Sequence, residues 1–322
     1  MTAVLLFGGL GIAAFLKGGK SDTSIVQQET SAPVEVSLDE VIVPLEEVKP
    51  VKKQAPAVVQ PPEAVKSEPE ELPDADRIQE FFSTKGSQLP FVETITYKSR
   101  VPWLKGRPAW LSDYASHYET SRHFIARSLN GKADYLKQDI AEGAKFNVLK
   151  KEVPLNFHLV VDASRCKMWF YAVNTSSGAK TLIKTYTVGL GRPDSTKTSG
   201  LLTPLGKYSL GSRIAIYKPS VMGNHKGKKV EMITVFGTRW IPFEKEVAGA
   251  TAPAKGLGIH GVPWTKKADG TFKQERESLA KYESDGCIRM ASEDVEELFA
   301  VIITKPAIVE IVPDFKQSEM AR

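Results

Sequence analysis

Residues 21–74 constrain this chain more than any other part of its sequence. They contain eight prolines among repeated valine, glutamate and lysine residues, and no aromatic residue. Such a composition cannot bury enough apolar surface to offset the conformational entropy that folding removes. We therefore expect residues 21–75 to form an extended, partly polyproline tether, or a spacer whose only property is its length. The folded part of the 322-residue chain should begin at about residue 76.

The first sixteen residues are apolar or small apart from Thr2. As a helix they would reach roughly 24 Å, which is short of the ~30 Å hydrocarbon core of a bilayer. Residues 1–20 are therefore expected to form a signal-peptide core or a marginal membrane anchor, with a buried globular helix as the alternative. Lys17 and Lys20 follow the segment and no basic residue precedes it, which argues weakly against export unless an upstream start is missing.

The composition excludes several classes of protein. A hydrophobic content of 42% is too high for a wholly disordered chain or a collagen-like fibre and too low for a polytopic membrane protein. Residues 76–322 carry 37 basic and 26 acidic side chains, which favours an acidic polymer or surface as partner. The two cysteines, Cys166 and Cys287, are too few for a disulfide scaffold and too far apart in the sequence for a structural zinc site.

Residues 76–152 are predicted to form a small domain of strand, helix, helix and strand, at residues 93–98, 109–118, 121–128 and 144–149. This order resembles a LysM module, a fold that binds N-acetylglucosamine polymers. The best matches are residues 111–115, 129–131 and 143–149. Residues 105–108 differ from the Gly-Asp-Thr turn that is usual in the family. This difference weakens the prediction of sugar binding more than the prediction of the fold. A helical pair between two strands of any other fold would give the same pattern.

Residues 153–322 are predicted to form a mainly β, α+β domain. Strands are expected at residues 157–162, 167–173, 181–189, 206–211, 231–241 and 307–312. A helix is expected at residues 292–303, with Ser292 as its N-cap and acidic residues in its first turn.

A cysteine motif, Ser-Asp-Gly-Cys-Ile-Arg-Met at residues 284–290, stands shortly before that helix. The positive end of a helix would favour the thiolate of Cys287. Gly286 permits close approach of the backbone to a substrate and can present an amide to an oxyanion. Arg289 has the forked guanidinium that suits a carboxylate. A buried structural cysteine is the alternative for this motif taken alone.

Two glycine-rich motifs precede the cysteine. Residues 256–264 place His260 between glycines at a strand end, as expected for a catalytic base on a loop. Residues 188–191 and 203–210 form a glycine-rich turn and the entry to a strand. In this order, with the cysteine motif last, the three segments resemble the YkuD family of L,D-transpeptidases. The resemblance covers roughly residues 155–312 and implies a β-sandwich or barrel.

The resemblance implies a cysteine enzyme of peptidoglycan that attacks the third residue, usually meso-diaminopimelate, of a tetrapeptide stem. The terminal D-alanine leaves and an amine resolves the acyl-enzyme. In this sequence Cys287 would be the nucleophile, His260 the base, and the Gly261 carbonyl the group that orients the imidazole. The amides of Gly286 and Cys287 would form the oxyanion hole. The substrate contacts would come from Ser284, Asp285 and Arg289.

Two departures from the family pattern stand out. Asp285 replaces the second histidine of Ser-His-Gly-Cys, and an anion there would disfavour the thiolate. The sequence leaves four interpretations of Asp285 open: it faces away and pairs with a cation such as Arg289 or a lysine, it binds a substrate ammonium, it reduces activity, or it represents neutral drift. The interval between His260 and Ser284 is also longer than usual, because residues 266–282 form a polar stretch that reads as a solvated surface or as a lid.

The remaining candidates are weaker. Cys166 is expected to be a structural cysteine with no bond to Cys287. Trp240 and Phe243 suit either the substrate groove or the core. His117, His123, His158 and His225 lack metal-ligand spacing, and neither a metal nor an organic cofactor is implied. The basic run at residues 225–229 is a poor nucleic-acid signal.

The sequence therefore predicts an exported or membrane-tethered L,D-transpeptidase in the periplasm or cell envelope. Peptidoglycan stem peptides are the expected partners, and glycan strands are the further partner that the LysM resemblance implies. An L,D-carboxypeptidase and a non-catalytic wall-binding protein are the alternatives, and the oligomeric state is open.

Overall fold

The computed structural model describes residues 71–135 and 137–321. The expected anchor at residues 1–20 and nearly all of the expected tether lie outside these ranges. Among the described residues, no helix combines the length and the apolar character needed to span a bilayer.

Five α-helices and seventeen strands make up the described part of the chain. The helices are α1 (Gln79–Phe82), α2 (Leu111–His117), α3 (Arg122–Asn130), α4 (Ile233–Phe236) and α5 (Ser292–Ile302). The strands are β1 (Val92–Thr96), β2 (Lys145–Leu149), β3 (Leu155–Asp162), β4 (Lys167–Asn174), β5 (Lys180–Thr187), β6 (Leu190–Gly191), β7 (Gly206–Leu210), β8 (Ala215–Ile216), β9 (Met222–His225), β10 (Lys228–Glu231), β11 (Arg239–Ala248), β12 (Gly258–Gly261), β13 (Trp264–Lys266), β14 (Phe272–Gln274), β15 (Tyr282–Ser284), β16 (Ile288–Met290) and β17 (Ala307–Val312).

A nine-stranded mixed sheet forms the framework. Its order is β16-β12-β11-β7-β17-β3-β4-β5, and β8 pairs with β11. The β17–β3 and β12–β16 pairs are parallel, whereas the other pairs are antiparallel. Strand β3 is apolar along most of its length and is buried on both faces, as expected for a central strand with a parallel neighbour. The nearly closed, mainly β architecture confirms the fold class predicted from the sequence.

Helix α5 packs against this sheet through Val295, Leu298 and Phe299, which are fully buried. The residues that the 3.6-residue period places on one face are therefore the ones that contact the core. The predicted cap is wrong: Ala291 is the N-cap, and no side chain caps the helix. The Ser292 hydroxyl instead accepts a hydrogen bond from Nε1 of Trp264 at 3.0 Å.

The N-terminal module has the predicted order β1, α2, α3, β2, and its two strands pair antiparallel. Ser121 caps α3 by accepting from the Phe124 amide, and Gly131 ends the helix with φ +71°. Phe124 belongs to the same apolar cluster as the core of the large sheet. The module therefore packs on the larger domain through a continuous core.

Residues 231–241 correct the sequence prediction. They are not one strand, because β10 ends at Glu231, α4 intervenes and β11 starts at Arg239. The run Ile-Thr-Val-Phe has strand propensity, yet Ile233 and Phe236 are buried on one side of a helical turn. Gly237, with φ +61°, then redirects the chain into β11.

Residues 73–77, where the expected tether meets the expected folded part, contact the large sheet. The carbonyl of Pro73 accepts a hydrogen bond from Nε1 of Trp169 at 2.6 Å. Asp76 forms an antiparallel bridge with Lys184 on the edge strand β5. Residues 73–77 therefore cover part of the edge of the sheet at β5. The proline-rich composition of this part of the chain did not predict this contact.

Candidate active site

Strands β12 and β16 bring the histidine and cysteine motifs together. They pair in parallel with His260 opposite Arg289. Because side chains alternate along an extended backbone, Cys287, two residues before Arg289, is expected to share its face of the sheet. The structure thus places the two predicted catalytic motifs on adjacent segments of one sheet edge.

His260 is held as a neutral ring. Its Nδ1 lies 2.7 Å from the carbonyl oxygen of Gly261, as the family resemblance implied. The side chain is 4% exposed, and this burial lowers the pKa of His260 to about 4. A neutral imidazole that donates from Nδ1 keeps Nε2 free to accept a proton. The rings of Phe236 and Trp240 flank it at centroid distances of 5.3 and 6.0 Å.

Cys287 is a free cysteine, and the residue as a whole is partly exposed. Its Sγ lies 3.8 Å from the carbonyl oxygen of Gly256 and donates to it. Burial raises the pKa of Cys287 to about 11, although the Gly258 backbone and the charge of Arg289 act in the opposite direction. Among the described residues no hydrogen bond joins Cys287 to His260. The resting site therefore holds a thiol and a neutral imidazole.

This protonation state differs from the expected thiolate. The sequence suggested that Cys287 stands at a helix N-terminus, but β16 follows it and α5 begins only at Ser292. The dipole of a helix acts mainly within its first turn. The cysteine consequently lacks that stabilisation, and desolvation determines its pKa.

The loop before Cys287 is braced from within. The Ser284 hydroxyl donates to the Cys287 carbonyl at 2.6 Å and accepts from the Gly286 amide at 3.1 Å. Ser284 is buried, so in this state it supports the loop and presents no surface to a substrate. The Gly286 amide is likewise occupied and is not aimed at an oxyanion. The Cys287 amide has no hydrogen-bond acceptor among the described residues and remains the better candidate for that role.

Gly286 and Thr203 connect this loop to the third sequence motif. The Thr203 hydroxyl accepts from the Gly191 amide at 2.7 Å and donates to the Gly286 carbonyl at 3.0 Å. Gly286 has φ +118°, and a Cβ there would lie 2.9 Å from the carbonyl oxygen of Leu202. Only glycine fits this backbone and this contact. The Gly-Leu-Gly and Thr-Pro-Leu-Gly segments thus serve to hold the cysteine loop.

Asp285 pairs with cations, one of the options that the sequence left open. Its Oδ1 lies 2.5 Å from Nη2 of Arg192, and its Oδ2 lies 2.7 Å from Nζ of Lys226. The hydrogen bond from Lys226 is the largest of the influences that lower the pKa of Asp285. The carboxylate is therefore ionised and already paired.

Arg289 is a cation whose charge acts on the Cys287 thiol. It forms no ion pair among the described residues, and its buried Nε has no hydrogen-bond partner. Its backbone exchanges hydrogen bonds with Gly189, which fixes the strand. Loss of hydration lowers the pKa of Arg289, but the group stays charged at neutral pH. Its free donors suit the carboxylate that the family resemblance predicts.

Other candidates find plain structural positions. Cys166 is a buried free cysteine in the turn between β3 and β4. Phe243 is buried and stacks on Tyr208, whereas Trp240 flanks the site. Part of the polar stretch at residues 266–282 forms the short β13–β14 hairpin.

One group of potential metal ligands lies elsewhere. His158, Glu310 and Glu319 bring their ligand atoms within 4.8 Å of one another. However, Nζ of Lys207 lies 2.5 Å from Glu319 and 3.6 Å from Glu310, so a lysine already neutralises both carboxylates. His158 also directs different ring nitrogens to the two carboxylates. This cluster is an internal ion-pair network.

Several residues of the site carry no catalytic signature in the sequence. Arg192 and Lys226 come from loops with no catalytic signature, and Thr203 was noted only as part of a strand entry. Phe236 lay within a stretch assigned to a strand. The basic run at residues 225–229 was the one available signal for Lys226.

Residues 156–311 match the family model of the L,D-transpeptidase catalytic domain, YkuD. This segment contains both His260 and Cys287. Two solved structures show similarity: Bdellovibrio bacteriovorus Bd1075, at 13% identity over 49% of this chain and 48% of that chain, and the helical cell shape determining protein Pgp2 from Campylobacter jejuni, at 18% identity over 50% and 49%. Both have a TM-score of 0.33. This chain thus spans about half the length of each. No curated protein matches the chain.

Proposed function

We propose that this protein is a cysteine acyltransferase of the L,D-transpeptidase type that acts on peptidoglycan tetrapeptide stems. The observation that carries the proposal is the pairing of β12 with β16, which sets His260 opposite Arg289 within a segment that matches the catalytic-domain model. The hydrogen bond from His260 Nδ1 to the Gly261 carbonyl supports the role of Nε2 as proton acceptor.

The proposed first step starts from neutral partners. As the sulfur of Cys287 attacks the carbonyl of the third stem residue, His260 takes the thiol proton, so no free thiolate is required in the resting enzyme. The Cys287 amide stabilises the oxyanion. The C–N bond to the terminal D-alanine then breaks, and the proton on His260 passes to the leaving amine. The products of this half-reaction are a thioester on Cys287 and free D-alanine.

An amine acceptor completes the second step. It loses a proton to His260 and attacks the thioester; an amide bond forms, the C–S bond breaks, and the proton on His260 returns to the sulfur, which restores the Cys287 thiol. Water in place of the amine would give an L,D-carboxypeptidase, which is the alternative within the same chemistry. A non-catalytic wall-binding role is the other alternative, motivated by Asp285, whose charge still acts against the Cys287 thiolate although Arg192 and Lys226 pair with it.

The N-terminal module adds a proposed glycan contact. The β1, α2, α3, β2 order agrees with a LysM-like reading, and Trp110 at the start of α2 is 47% exposed with Arg107 over its ring at 5.7 Å. Exposed aromatic rings are common platforms for sugars. We place the protein in the cell envelope, held by its N-terminal segment, because that is where such stems and glycans occur.

The test is incubation of the purified protein with tetrapeptide muropeptides, followed by mass spectrometry of the products. Cross-linked dimers support the transpeptidase, tripeptide alone supports the carboxypeptidase, and unchanged substrate together with glycan binding supports the wall-binding protein. Cys287→Ala serves as the control and should abolish either reaction. Asp285→His, which restores the family residue, should retain activity if Asp285 has no direct part in the chemistry.

A further inference from the structure

Beside Cys287 the structure places more positive than negative charge. Arg192, Lys226 and Arg289 surround the cysteine loop, whereas Asp285 is the carboxylate that pairs with two of them. The more remote Glu283 also acts on Arg289 through its charge. Arg289 alone suffices for one substrate carboxylate, so the pair of Arg192 and Lys226 is left without a role in the proposed reaction.

The two cations come from separate parts of the chain and meet at one anion. Arg192 directly follows β6, and Lys226 lies in the turn between β9 and β10. Asp285 takes one donor from each of them, although an ammonium has three donors and a guanidinium has five. Both cations therefore keep donors for a second anion.

The pairing is also labile. The side chains of Arg192, Lys226 and Asp285 are 59%, 68% and 54% exposed. Ion pairs at such exposure contribute little free energy, so another carboxylate can share or replace Asp285 without a large cost. An ion pair that stabilised the loop strongly would have side chains removed from water, whereas these three side chains are exposed.

We infer that Arg192 and Lys226 form a second carboxylate-binding site beside Cys287, with Asp285 as its resident occupant, which selects donor peptides that carry a second free carboxylate. The inference rests on the proposed function, because it names a feature of the donor for the same site. Where the third residue of a tetrapeptide donor is a diamino diacid such as meso-diaminopimelate, its side chain ends in such a carboxylate, and this is the group that the inference concerns. A carboxamide there has the same shape but no charge and is expected to bind less well.

The decisive experiment separates binding from turnover. Cys287→Ala protein is titrated, by calorimetry at low salt, with two tetrapeptides that differ only in having a carboxylate or a carboxamide at the end of the third side chain. We expect the acid to bind about three- to tenfold more tightly, the range of a partly exposed charge-assisted contact. Lys226→Gln and Arg192→Gln, each in this background, should bring the ratio close to one.

Two further variants complete the design. Asp285→Asn removes the resident carboxylate and should increase the acid-to-amide ratio. Lys228→Gln removes the same charge from the same hairpin at a lysine that does not contact Asp285, and it should leave the ratio unchanged. Equal affinity for acid and amide, or a ratio that survives Lys226→Gln and Arg192→Gln, would overturn the inference. Turnover of the acid donor by the unmodified protein tests the proposed function separately, so either idea can fail while the other stands.

Discussion

The carboxylate of Asp134 lies 2.5 Å from Nη2 of Arg239, and this ion pair joins the loop after α3 to strand β11. The Arg239 side chain is only 2% exposed and also lies over the ring of Phe299 at 5.3 Å. The next residue, Trp240, is the register partner of His260. The N-terminal module is therefore attached directly beside the strand that borders the candidate active site.

Loss of the Asp134 carboxylate should destabilise the fold strongly. Asp134→Ala leaves the buried Arg239 guanidinium without its nearest anion, and we expect a loss of about 3 kcal/mol in the free energy of unfolding. Urea denaturation measures it. Asp139→Ala is the matched control, because Asp139 lies in the same loop but forms an exposed pair with Lys132, and its removal should have no measurable effect. Equal losses in the two variants would contradict the assigned role of Arg239.

A second prediction concerns the glycine before the nucleophile. Gly286→Ala forces a Cβ against the Leu202 carbonyl and into an unfavourable backbone region, so the loop must shift. We expect a loss of about 1–3 kcal/mol in stability and loss of turnover, measured by urea denaturation and the muropeptide assay. Gly270→Ala is the control: φ is +82° there, but no atom lies within 4 Å of the added Cβ. The Gly270→Ala protein should lose less stability than the Gly286→Ala protein and should keep its activity.

The sequence predicted those parts of the molecule that local patterns determine. The alternation and apolar runs of β3 and β4 and the 3.6-residue period of α5 predicted these elements closely, because the core contacts of each depend on its own residues. The order of the His260 and Cys287 motifs also predicted the family whose catalytic-domain model matches residues 156–311. The catalytic roles of those residues stay predictions.

What failed depended on tertiary packing. The run before Gly237 has strand propensity, yet α4 forms there and buries Ile233 and Phe236, and the Phe236 ring packs beside His260. The sequence predicted that a helix N-terminus stabilises the Cys287 thiolate. The structure lacks this arrangement, because the three-residue strand β16 separates Cys287 from α5. The partners of Asp285 come from 59 and 93 residues away, a distance at which one sequence gives no pairing information.

The buried state of His260 predicts a dependence of stability on pH. Its pKa of about 4 lies below the ordinary value near 6.5, so between these pH values the unfolded chain binds a proton that the folded chain does not. Stability from this residue is complete above pH 6.5 and falls as the pH decreases toward 4, by about 2–3 kcal/mol at pH 4.5. His260→Gln should lose this part of the pH dependence in urea denaturation at pH 7 and 4.5. His123, whose pKa is also lowered to about 4, keeps its own share in both proteins, and identical pH dependences would contradict the prediction.

The protonation state of Cys287 can be read from its reactivity. A thiol whose pKa is about 11 is almost entirely protonated at neutral pH, so its alkylation by iodoacetamide should accelerate about tenfold per pH unit from pH 6 to 9. Digestion and mass spectrometry distinguish Cys287 from the buried Cys166. Arg289→Gln removes a positive charge that favours the thiolate and should slow the reaction at each pH, whereas Lys228→Gln should not. A rate that is already constant from pH 6 upward would show a preformed thiolate–imidazolium pair, and the first step would then begin from ions rather than from the neutral thiol and ring.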